Sequence, residues 1–186
     1  MPPKSGFLTA PPAFCNAAQL LQRVIAVGIL VSFAAAAASV VRLPDTVRPV
    51  RYKAWLNIDP AQPLFDASIE IDVNVSRATD TVLLNATDLE VTRAAVTAGG
   101  VALHVEARAG ENEFLRLTVR PPLPAGSARL SLEYRGRLRD DLTAGAFRRR
   151  SAAGDWYVYT TSTAIDARRI FPCFDQPDYK TPWTLT

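Results

Sequence analysis

"IEIDVNV", residues 69–75, decides the fold. Ile69, Ile71, Val73 and Val75 are apolar, and Glu70, Asp72 and Asn74 between them are polar. Side chains at i and i+2 share one face of a strand, so the run has a dry face and a wet face. The same period recurs outward along the chain. Val50, Tyr52, Ala54, Leu56 and Ile58 alternate with Arg51, Lys53, Trp55 and Asn57. Leu115, Leu117 and Val119 alternate with Arg116 and Thr118, and Leu130, Leu132 and Tyr134 with Ser131 and Glu133. Antiparallel sheet covered on one side gives this pattern.

Turn chemistry separates the runs: Asp59-Pro60 with Pro63, then Gly99-Gly100, Gly110, and "PPLPAG" at 121–126. Pro121 and Pro122 cannot donate to a ladder, so that stretch reads as a connector. Short strands at such spacing, with a helix conceivable only around Ala164 to Arg169, predict an all-β chain built as an antiparallel β-sandwich. Residues 42–186 are enough chain to bury a core.

The first 41 residues read differently. Val24 to Val41 is nearly continuous apolar sequence, Lys4 and Arg23 precede it, and no acidic residue occurs before Asp45. A basic start, an apolar run and small residues are the layout of a secretory signal. Ala36-Ala37-Ala38 offers a cleavage site that leaves Ser39 as the new N-terminus. Left uncleaved, the run is long enough to anchor the chain in a bilayer as an apolar helix. Residues 1–41 are thus expected to be a signal peptide or membrane anchor, and the protein to be exported to a periplasmic or extracellular compartment.

Composition excludes several classes. With 48% hydrophobic and 21% charged residues the chain is globular, not disordered. A formal charge of +3 is too small and too scattered for nucleic acid. The one tight basic cluster, Arg148-Arg149-Arg150, reads as a solvated loop. Cys15 would leave with the signal, and Cys173 then stands alone as a packed small hydrophobe. His104, the only histidine, alternates with Leu103 and Val105 and reads as a solvent-facing strand residue. With no H-E-x-x-H, no Gly-rich phosphate loop and no serine elbow, neither a metal site nor a catalytic constellation is expected here. Asp140-Asp141 reads as a solvated pair. The sequons at Asn74 and Asn85 carry little weight.

"DARRIFPCFDQPDYKTPW", residues 166–183, is the densest segment. Phe171, Phe174 and Trp183 can each bury a large apolar area. Asp166 and Asp175 lie within reach of Arg168 and Arg169, while Pro177 and Pro182 stiffen the exit. Physically this is a packed corner with local ion pairs.

The same residues carry a resemblance. Asp166, Ala167, Arg168, Arg169, Phe171, Pro172, Cys173, Phe174, Asp175, Gln176, Pro177 and Lys180 match a fingerprint of the M1 family of zinc aminopeptidases. "RLPDTVRPVRYKAWLNID", residues 42–59, and "TVLLNATDLEV", residues 81–91, are similar to two earlier stretches of that family. The resemblance covers residues 42–186 and implies an N-terminal β-sandwich domain, incomplete at its C-terminal end. The zinc cofactor, its ligands and the catalytic domain are implied only for a full-length relative. The implied partners are that missing catalytic domain and, in the full-length context, a peptide substrate. The family commonly has Gln-x-Glu before the fingerprint, where the Glu holds the substrate's free α-amine. The matching positions are Thr161 and Thr163, a degenerate amine anchor. The chain alone is expected to be inactive.

A stand-alone secreted or membrane-tethered binding module is the alternative expectation, since sandwiches host many binders. Exposed aromatics among Trp55, Trp156, Tyr157 and Tyr159 would favour it.

Overall fold

The computed structural model describes residues 42–186, and the expected signal or anchor segment lies outside them. The described part is all-β. In chain order its strands are β1 (Val47–Asn57), β2 (Leu64–Val75), β3 (Thr79–Asn85), β4 (Glu90–Ala98), β5 (Val101–Ala109), β6 (Phe114–Leu123), β7 (Gly126–Arg137), β8 (Gly145–Arg150), β9 (Trp156–Thr161) and β10 (Trp183–Leu185). The helix conceived near Ala164 to Arg169 is a single 3-10 turn, Ala167–Arg169.

Eight strands form one sheet in the order β10-β1-β2-β7-β4-β5-β6-β3, and β8 and β9 form a separate hairpin. The layers expected as a sandwich are continuous through the β4–β5 hairpin. Those strands pair only over Val96–Ala98 and Val101–Leu103, next to the Gly99-Gly100 turn, after which β5 runs with β6. Both turn glycines have positive φ, which suits a tight hairpin.

The sheet curls upon itself. Cys173 bridges to Asn85 on the terminal strand β3, while the N–H of the adjacent Phe174 donates to Tyr52 Oη on β1, near the opposite end. Curling brings the dry faces together. Ile69, Ile71, Leu130 and Leu132 share one buried cluster with Leu84, Leu117 and Val119. Each such side chain removed from water contributes about 1.5–3 kcal/mol. On the wet face Asp72 accepts from Arg51 Nη2 and from Arg129 Nε, both at 2.7 Å, tying β1, β2 and β7.

Four expectations need correction. Val50 is 54% exposed, because the β1–β2 register shifts between Pro49 and Arg51 and displaces it from the dry face. Pro121 and Pro122 lie within β6, not in a connector. They sit where the β3–β6 register jumps from Thr81↔Thr118 to Thr79↔Leu123, so the bulge asks no ladder bond of them. Arg148, Arg149 and Arg150 belong to β8, and Arg148 is buried. Trp183 is only half-buried, and its strand β10 runs parallel to β1 in an otherwise antiparallel sheet.

Candidate functional site

The fingerprint segment and the β8–β9 hairpin form one locale. Arg168, half-buried in the 3-10 turn, reaches three acceptors. Its Nε donates to Asp175 Oδ2 at 2.9 Å, Nη2 to the Asp175 carbonyl at 3.2 Å, and Nη1 to Glu113 Oε2 at 3.0 Å. The Arg168 and Asp175 side chains are 12% and 13% exposed, so solvent screens this pair little. Arg169 Nε donates to Asp166 Oδ1 at 3.1 Å and Nη1 to Asp88 Oδ2 at 3.2 Å. The expected local pairings of Asp166 and Asp175 with the two arginines are therefore formed.

Beyond the turn the chain locks onto β3. The Asn85 and Cys173 backbones exchange hydrogen bonds at 2.7 and 3.0 Å, and Asn85 Oδ1 accepts from the Asp175 N–H at 3.1 Å. Asn85 is buried, so the second sequon is spent on structure. Cys173 is buried, and burial pushes its thiol up, away from the reactive thiolate. Pro172 and Phe174 are buried beside it; Phe174 meets Tyr179 edge-on at 5.7 Å. Ala167 and Phe171 pack half-buried against the core, while Pro177 and Lys180 are exposed. Trp183 stacks on Tyr52 at 4.0 Å and meets Phe171 at 5.0 Å.

The hairpin places the two threonines. Thr161 ends β9 opposite Gly145, and Thr163 follows, exposed. Tyr157, Tyr159 and Thr161 alternate onto one face of β9. Both tyrosines are about half exposed, and Tyr159 stacks with Phe147 at 5.6 Å. No carboxylate stands on that face of β8 or β9. Gly145, with φ +68°, backs directly onto Arg169. The fingerprint turn thus supports the strand end that bears Thr161.

Asp88 and Glu113 complete the arginine network and were not read from the sequence. Both have positive φ, in turns next to β3 and β6. The polar runs "ATD" at 86–88 and "GENE" at 110–113 were the available signal.

The family model described as the Peptidase M1 N-terminal domain matches residues 48–186. The chain belongs to this family. The M1 N-terminal domain is 34% identical over 147 residues to Aminopeptidase M1-D of rice (Oryza sativa subsp. japonica), covering 78% of this chain and 17% of that protein. It is 32% identical over 150 residues to Probable M1 family aminopeptidase 1 of Encephalitozoon cuniculi, with 78% and 17% covered. It is 31% identical over 153 residues to the mitochondrial Aminopeptidase 2 of Saccharomyces cerevisiae, with 77% and 16% covered. The chain thus spans about a sixth of the length of these curated relatives.

The donor set among the described residues 42–186 does not fit a zinc ion. Among the described residues no three His, Cys, Asp or Glu side chains gather as a metal cluster. His104 is exposed on β5 opposite Arg120, a cation, while Cys173 is buried and bridged to Asn85, so the two are not brought together as donors.

Proposed function

We propose that this M1 N-terminal domain serves an exported zinc aminopeptidase, where it forms one wall of the cleft that receives a peptide's N-terminus. One observation carries the reading. Trp183 and Leu185 are in register with Tyr52 and Ala54, on the core-facing side of the sheet, yet they are 42% and 62% exposed. Apolar side chains on a covered face that lack their own cover call for a neighbour. The partner is an M1 catalytic domain, which would hold the zinc and hydrolyse the peptide; nucleic acid has no part in this reading. Export rests on the apolar run at Val24–Val41, and a membrane enters only if that run stays uncleaved.

Thr161 and Thr163 stand at the amine-anchor positions of the cleft wall. A threonine hydroxyl is neutral and short, so it holds an ammonium less well than a carboxylate, by about 1.5–3 kcal/mol.

A specific observation also favours the rival reading of a stand-alone binding module: the half-exposed Tyr157 and Tyr159 on the outward face of β9. Reading the coding DNA past the Thr186 codon separates the two. A continuation encoding H-E-x-x-H supports the peptidase reading, and coding sequence that lacks it leaves the binding module. Purified chain given equimolar zinc should not hydrolyse aminoacyl-arylamides. Chelator-sensitive release by the chain alone would overturn the assignment of catalysis to a partner domain.

A further inference from the structure

The geometry points to an oxyanion-binding site built around Arg148, where the β8–β9 hairpin meets the loop between β1 and β2. Arg148 is charged yet only 9% exposed. Its guanidinium stacks on Trp156, with Cζ 4.3 Å from the ring centre. Guanidinium N–H bonds lie in the group's plane, so the ring covers a face and supplies none of the in-plane acceptors. Nη1 donates to the Pro60 and Ala61 carbonyls at 3.3 and 3.0 Å. Nε is buried without any acceptor. Nη2 faces only the Asp140 carboxylate at 3.9 Å, too far for a hydrogen bond. A buried guanidinium with donors left over is costly. Its natural complement is an anion whose oxygens accept from the fork.

The surroundings leave room for one. A cavity of about 430 Å³ opens beside Arg148, lined also by Arg137, Arg139, Asp140 and Asp141. Arg139 and Asp141 neutralise each other through two hydrogen bonds at 2.7 and 2.6 Å. Arg137 is exposed and makes no ion pair among the described residues. Arg137 and Arg148 therefore share the cavity with one loosely held carboxylate, that of Asp140, which stands 3.9 Å from Arg148. Arg149 donates to the Asp140 and Leu142 carbonyls at 2.8 and 2.9 Å, which fixes the loop backbone. The Asp140 carboxylate itself is 63% exposed. It acts as a built-in competitor that swings out when an external oxyanion takes its place beside Arg148 Nη2, in the cavity that Arg137 also lines. The ligand class is a small oxyanion, a phosphate or a carboxylate such as a peptide terminus.

Titration of the full chain with inorganic phosphate, and separately with acetate, tests this against chloride at matched ionic strength. The readouts are the Arg148 Nε–H and Trp156 indole resonances in ¹⁵N NMR spectra. Saturable shifts with phosphate or acetate are expected, and the anion that saturates at lower concentration identifies the preferred headgroup. Asp140→Asn should tighten binding about threefold or more by removing the competitor, and Arg137→Gln should weaken it by a similar factor. Both positions are at the surface, and circular dichroism verifies that each variant folds. Shifts that only grow linearly, or that chloride reproduces, overturn the site. Saturation indifferent to both substitutions does so too. None of these outcomes bears on the peptidase reading, which the DNA downstream of Thr186 decides.

Discussion

Arg169 closes the space behind Gly145: an ideal Cβ built on that glycine would lie 2.5 Å from Arg169 Cβ. The contact joins the fingerprint turn to the hairpin end at Thr161. Gly145 also has φ +68°, where a side chain adds backbone strain. Gly145→Ala is therefore expected to cost about 2–4 kcal/mol, strain plus overlap. Gly99→Ala is the control, with φ +56° but open space around it, and should cost only about 1–2 kcal/mol. Urea unfolding of both variants checks the difference. Equal costs would show that the Arg169 contact yields freely.

Two buried tyrosines make opposite use of their hydroxyls. Tyr52 Oη accepts the buried Phe174 N–H at 3.1 Å, whereas Tyr134 Oη has no partner. Tyr52→Phe strands a backbone donor and should destabilise by about 1–3 kcal/mol. Tyr134→Phe removes an unsatisfied polar atom and should be neutral or slightly stabilising. Urea midpoints at constant m-value distinguish them. A Tyr134→Phe loss as large as that of Tyr52→Phe would contradict this account.

Acid should weaken the sheet through Asp72. The Arg129 hydrogen bond, with Arg51 adding to it, holds the Asp72 carboxyl below its usual value of 3.8 despite the opposing effect of burial. A carboxyl that ionises more readily when folded stabilises the fold above its unfolded value, and that contribution is lost as pH falls through the folded value. The loss thus lies below about pH 4. Asp72→Asn should flatten this acid limb and lower stability at pH 7. Urea unfolding from pH 7 to pH 2 measures it, and an unchanged acid slope would exclude Asp72 as a contributor.

Cys173 should be inert while the fold holds. Burial pushes its thiol further above the ordinary thiol value, which suppresses the thiolate, and its backbone is pinned to Asn85. Iodoacetamide at pH 8 is expected to label Cys173 only in denaturant, as read by peptide mass mapping. Rapid labelling in buffer would mean that the Asn85–Cys173 bridge opens readily.

Sequence made the strand interiors legible because period two is a local property: Ile69 to Val75 and Leu130 to Tyr134 read correctly one residue at a time. The Gly99-Gly100 turn was legible for the same reason, and so were the short-range pairs of Arg168 with Asp175 and Arg169 with Asp166. What escaped depends on contacts distant in sequence. Val50 leaves the dry face through a bulge set by pairing with β2. Arg148 is buried because Trp156 and the Pro60–Ala61 carbonyls converge on it from separate elements. Glu113 joins Arg168 across 55 residues of chain. A charged residue reads as solvated until its distant acceptors are known.

Thr163 offers the sharpest check of the proposed cleft wall. It is exposed and directly follows β9, whose last residue Thr161 pairs with Gly145 where that glycine backs onto Arg169. If it faces a substrate's ammonium, a carboxylate at this position restores a charge-assisted contact. Thr163→Glu in the complete protein should then raise kcat/KM for free-amine peptides about 10- to 100-fold, the equivalent of about 1.5–3 kcal/mol. Peptides with acetylated N-termini carry no ammonium and should gain nothing. Because an exposed Thr→Glu change leaves the core untouched, stability should move by no more than about 0.5 kcal/mol. A gain shared equally by acetylated and free peptides would place Thr163 away from the amine, and no gain for either would remove it from the cleft.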